Sequence, residues 1–92
     1  MIEWDERKRD ANLAKHHLDF ADAWRVYESP LKLTFESARR GETRRLDLAR
    51  IEEVLLAFVY IECGNAVRAI SLRRASRTER RMYEKANEKE SD

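Results

Sequence analysis

Three features of the sequence predict an α+β fold: a small twisted antiparallel sheet with two N-terminal helices packed on it and a C-terminal helix. Apolar residues recur at helical spacing as far as Tyr27, alternate from Leu31 onward, and give way at Ser76 to a capping sequence that opens a last helix. With 92 residues the chain holds one core, so it reads as a single domain over 1–92, with 84–92 as a frayed tail.

Ile2-Glu3-Trp4 alternates as a short strand does. Asp5 then offers its side-chain oxygen to the free amides of a helix running to about His16. Asp19 caps a second helix, in which Phe20, Ala23, Trp24 and Tyr27 make one apolar stripe. Pro30 stops that helix by pushing Ser29 out of helical geometry.

Leu31, Leu33 and Phe35 alternate with Lys32, Thr34 and Glu36, which marks a strand buried on one face. Residues 37–43 read as an exposed loop, followed by a strand in which Leu46 and Leu48 alternate with Arg45 and Asp47. Val54 to Ile61 is apolar throughout and fits a strand covered on both faces. Cys63-Gly64-Asn65 turns the chain into a hairpin partner over 66–73. Simple alternation there puts Arg68 with Ile70 and Leu72, and Ser71 and Arg73 on the other side. Ser76-Arg77-Thr78-Glu79 has capping-box spacing, so Glu79 reads as a cap rather than a base. The helix it opens has a thin apolar face of Met82, Tyr83 and Ala86, which a partner would complete.

The 19 basic and 18 acidic residues leave a net charge of +1, which excludes a uniformly cationic binder. The excess is local: Arg68, Arg73, Arg74, Arg77, Arg80 and Arg81 face Glu79 alone over residues 64–83. Arginine grips phosphate or carboxylate oxygens in pairs with a planar fork of donors, so this segment reads as an oxyanion site. The longest apolar run is Val54 to Ile61, against roughly 20 residues for a membrane-spanning helix, and the first residues lack a secretory signal's apolar stretch. Cys63 is the single cysteine, which precludes a disulfide within the chain and suits the cytoplasm. Gly-rich phosphate loops, nucleophile motifs and paired-histidine helices are absent, and the acidic residues are scattered, so neither a cofactor nor a metal site is expected.

A cationic trough suits phosphate. In RNA the 2′-hydroxyl can attack its own phosphorus, provided the protein moves two protons and neutralises the phosphorane. His16, His17, Lys15 and Tyr83 are the candidates for proton transfer. The two histidines read equally well as imidazolium groups stabilising the last carbonyls of their helix.

The opening IEWDERKRDANLAKHHLDFADA and the later VRAISLRRASRTERRMYE resemble the BrnT family of bacterial type II toxins, whose fold is similar to that of RelE-type ribonucleases. The positions carrying the likeness include Trp4, Asp5, Asn12, Lys15, His16, Phe20, Arg68, Ser71, Arg73, Glu79, Arg80 and Tyr83. The resemblance implies an RNA-cleaving toxin that inhibits translation and growth, silenced in a hetero-oligomer by a cognate, DNA-binding antitoxin of the BrnA kind. On that reading His16, Arg68, Arg73, Arg80 and Tyr83 are catalytic, and Lys15, Arg74 and Arg77 hold the RNA. The family's glycine after Lys-His is His17 here, at a helix end that favours left-handed geometry. The alternative is a non-catalytic basic module that binds an acidic partner or nucleic acid.

Overall fold

The computed structural model describes residues 1–90, except for the side chains of Arg39 and of residues 88–90. β1 (Ile2–Glu3) leads into α1 (Glu6–His16), a single 3-10 turn (Phe20–Asp22) and α2 (Trp24–Tyr27). Four long strands follow, β2 (Leu33–Arg39), β3 (Glu42–Ile51), β4 (Val54–Cys63) and β5 (Ala66–Arg74), and then α3 (Arg77–Glu90). The sheet order is β1-β5-β4-β3-β2.

This is the expected α+β layering, with four differences. The sheet is mixed, because β1 runs parallel to β5, pairing Ile2 with Val67 and Glu3 with Arg68. The second N-terminal helix is shorter than its stripe suggests: it breaks into the 3-10 turn and one turn of α-helix, burying Phe20, Ala23 and Val26 while Trp24 is half out in solvent. The region 37–43 is not a loop, since β2 and β3 pair as far as Arg39 with Glu42 around the two-residue turn Arg40-Gly41. Residues 84–90, expected to fray, continue α3; residues 91–92 of that tail lie outside the described residues.

The ends of α1 follow from local chemistry. Asp5 accepts a hydrogen bond from the Arg7 amide at 2.8 Å, and His17 closes the helix at φ 60°, its amide donating to Leu13. Arg9 reaches from α1 to the Asp19 carboxylate with two hydrogen bonds of 2.7 and 3.0 Å, which hold that carboxyl down at about 2. Beyond its two paired residues β1 leaves the edge of β5 open, and Asn12 fills the gap. Its side chain accepts from the Leu72 amide at 3.1 Å and donates to the Leu72 carbonyl at 2.8 Å, as a neighbouring strand does.

The N-terminal helices cover one face of the sheet, where Phe20, Val26, Ala49, Phe58, Tyr60, Ala69 and Leu72 form the main core. Asp47 belongs to this face rather than to solvent. It is fully buried, ion-paired with Lys32 at 2.9 Å and accepting hydrogen bonds from Thr34 and Tyr60. Burial and the nearby carboxylate push the Tyr60 phenol far above its ordinary range, so it stays a donor. The opposite face is covered only at one end, where Tyr83 of α3 packs against Leu48, Leu55 and Ala57.

Candidate active site

The open face is set by one irregularity. β4 and β5 pair Val59 with Ser71 but Tyr60 with Ala69, so Ile70 is an extra, bulged residue. Strict alternation puts Arg68 with Leu72 and opposite Arg73. The bulge corrects that assignment: Arg68, Ser71 and Arg73 pair with Ile61, Val59 and Ala57 and share the open face, while Val67, Ala69 and Leu72 enter the core.

A groove of about 290 Å³ lies on this face, with Arg73 and Arg44 among its lining and Phe35, Leu46 and Val59 along its floor. Arg73 is anchored by Glu79, which accepts from both terminal nitrogens at 2.8 and 3.0 Å; a further bond runs to the Arg74 carbonyl at 3.3 Å. A guanidinium has five N–H groups, so Nε–H and one terminal N–H of Arg73 are left for an anion. Glu79 also closes the expected capping box: it accepts from the Ser76 amide at 2.8 Å, and its own amide donates to Ser76 Oγ at 3.2 Å. The hydrogen bonds from Arg73, ahead of those from Ser76, hold the Glu79 carboxyl below the usual carboxylate range.

His16, the last residue of α1, is half-buried beside β5, in a recess it shares with Lys15, Asn12 and Ser71. Its pKa is lowered by burial first, then by the charges of Lys15, Arg73 and His17. Burial and these charges thus bias the imidazole toward its neutral form within the field of a fixed guanidinium. This is the pairing that proton abstraction close to a developing anion requires.

The other expected residues divide. Arg80 is exposed on α3, one turn before the sheet-facing Tyr83 and next in sequence to Glu79. Tyr83 is 5% exposed in the second core cluster, with the Arg50 guanidinium 5.9 Å from its ring centre. Arg77 is exposed in the first turn of α3. Arg74 points to the helix-covered face, lining a separate cavity with Leu18, Asp22 and Arg25. Arg68 lies on the open face, but its partner Ile61 stands four residues along β4 from Ala57, the partner of Arg73. The structure thus sets His16 and Lys15 in one recess with Ser71, Arg73 in the groove on the open face and Arg74 in a separate cavity, while Arg80 lines none of the three.

Arg44 is the groove residue that the sequence reading missed. Its signal was its phase with Leu46 and Leu48, hidden by reading residues 37–43 as a loop. Among the described residues no three His, Cys, Asp or Glu side chains converge as a metal site, and no helix is long and apolar enough to cross a membrane.

No curated protein matches the chain. Residues 4–79 match the family model described as "Ribonuclease toxin, BrnT, of type II toxin-antitoxin system". That span takes in His16, Arg73 and the capping glutamate that holds Arg73, so the chain belongs to the BrnT family of ribonuclease toxins of type II toxin–antitoxin systems.

Proposed function

We propose that this toxin cleaves single-stranded RNA in the cytoplasm without a metal ion, in the manner of the metal-independent mRNA interferases, and that a DNA-binding antitoxin of the BrnA kind silences it by covering the open face. The observation that carries this reading is the recess that holds His16 and Lys15 against Ser71, two residues along β5 and on the same face as the Glu79-anchored Arg73 of the groove.

His16 removes the proton of the ribose 2′-hydroxyl, and the oxygen attacks the adjacent phosphorus. The bond from phosphorus to O5′ breaks, and O5′ takes up a proton, leaving a 2′,3′-cyclic phosphate and a 5′-hydroxyl. Arg73, oriented by Glu79, and Arg80 offset the added charge of the phosphorane; losing such a donor commonly costs about 3–4 kcal/mol, or roughly 10²–10³ in rate. Lys15 and Arg77 hold the backbone on either side. Tyr83 acts as a positioning residue, its buried ring seating α3 so that Arg80 meets the groove. Arg68 and Arg74, on this geometry, take no part in the chemical step.

The test is cleavage of naked RNA by the purified toxin in excess chelator. Cyclic or 3′-phosphate ends are expected, at a rate the chelator leaves unchanged, and His16→Ala lowers that rate by about 10²–10⁴. Ends carrying 3′-hydroxyls, or loss of cleavage on chelation, overturn the mechanism. Cleavage seen only with ribosomes present rejects the use of free RNA. An Arg80→Ala toxin that loses growth inhibition but still binds antitoxin separates catalysis from a purely adhesive role.

A further inference from the structure

At the other end of the open face the strand register sets two arginines in one row. Arg44 of β3 pairs with Ile61 of β4, which pairs with Arg68 of β5. Paired residues share a face, so the two arginine backbones stand about 10 Å apart across Ile61. Four residues along the strands separate this row from Arg73, or about 13 Å.

The arginines of this row are poorly satisfied. Arg44 Nε is buried without a hydrogen-bond partner, and among the described residues no carboxylate pairs with Arg44. Its neighbour Arg45 shows the contrast, held by both Glu36 and Glu62. Arg68 has Glu3 at 3.7 Å, an exposed pair of little weight. A guanidinium keeps its charge, so a buried N–H lacking an acceptor favours any anion that enters the groove.

We infer that Arg44 and Arg68 form a second phosphate-binding station, which grips the RNA strand away from the scissile bond and rests on the reading of cleavage at His16 and Arg73. The same groove joins Arg44 to Arg73, and its floor of Phe35, Leu46 and Val59 offers apolar and aromatic surface to the intervening bases. A continuous strand of evenly spaced phosphates fits two cationic stations divided by an apolar floor.

The experiment uses the full chain carrying His16→Ala, so that RNA binds without being cut, and a fluorescently labelled single-stranded RNA long enough to span the groove. Adding Arg44→Ala weakens binding about tenfold at low salt and lowers the slope of log Kd against log salt by about one. In the cleaving protein, Arg44→Ala reduces the preference for the long RNA over a dinucleotide, which does not reach the second station. Arg44→Lys, which keeps the charge and guards against a folding defect, recovers most of the salt slope. Unchanged affinity and slope overturn the station, as does an equal loss on long RNA and dinucleotide. Intact RNA binding with weakened antitoxin binding assigns the row to a protein interface instead. Because binding is read without cleavage, a wild-type toxin that needs metal refutes the mechanism proposed above and leaves this test standing.

Discussion

Asn12→Ala removes the side chain that stands in for a missing strand. Asn12 is 7% exposed and satisfies both backbone groups of Leu72, with a further hydrogen bond of 2.9 Å to the Leu18 carbonyl. The Leu72 bonds are buried and the Leu18 bond only partly so, which leaves two groups with no access to water after truncation. Each buried orphan costs about 1–3 kcal/mol, so the loss is about 3 kcal/mol. In a domain of this size that lowers Tm by about 12–24 °C. Melting followed by circular dichroism reads the total, and amide exchange at Leu72 reads the local part, rising by about two orders of magnitude. A drop below about 5 °C with Leu72 still protected would refute the idea that one amide side chain seals this edge. Since α1 carries Lys15 and His16, activity falls with the seal.

The rate against pH gives a second check. His16 works as a base with a lowered pKa, so kcat/KM rises with pH on a limb lying below the ordinary histidine value, and Arg73→Gln, by removing one depressing charge, shifts that limb upward. Glu79→Gln keeps the cap but breaks the ion pair, at a cost of about 2 kcal/mol in denaturant unfolding at neutral pH. The folded carboxyl is lowered, so its stability is full above the ordinary glutamate pKa and lost as pH falls through the lowered one; the variant and wild type converge there. His17→Gly relieves a side chain held at φ 60° and raises stability by about 1 kcal/mol, a gain of a few degrees in Tm.

Where the sequence carried a local physical code, it could be read. Asp5 and Ser76-Arg77-Thr78-Glu79 state their caps in hydrogen-bonding chemistry confined to a few residues, and both form as expected. The left-handed end of α1 at His17 was legible only through the resemblance, which puts a glycine at that position. What escaped was settled by distant partners. Two residues of β1 announce neither a parallel neighbour nor a polar side chain completing its edge. Lys32, Thr34 and Asp47 look like a solvent-facing rank, yet they satisfy one another under α2. Glu52-Glu53 turns a hairpin with both residues at positive φ, a geometry that Asn-Gly would have signalled. In the site, the arginine-rich C-terminal segment was visible as composition. Its division between two faces was not, because it depends on one inserted residue and on the extension of β3 back to Arg44.

The bulge at Ile70 works as a phase switch. Everything upstream of it in β5 is counted in one parity and everything downstream in the other. Were Ile70 drawn into the ladder opposite Val59, the chain beyond it would turn over like a half-twist in a ribbon, sending the guanidinium of Arg73 into the hydrocarbon interior and Leu72 out to water. The chemistry of this toxin therefore depends on an arithmetic property of its strand as much as on the identity of any side chain. A ladder that ran through Ile70 without the bulge would disarm it even with every arginine retained, whereas loss of Ile70 itself keeps Arg68 and Arg73 in phase.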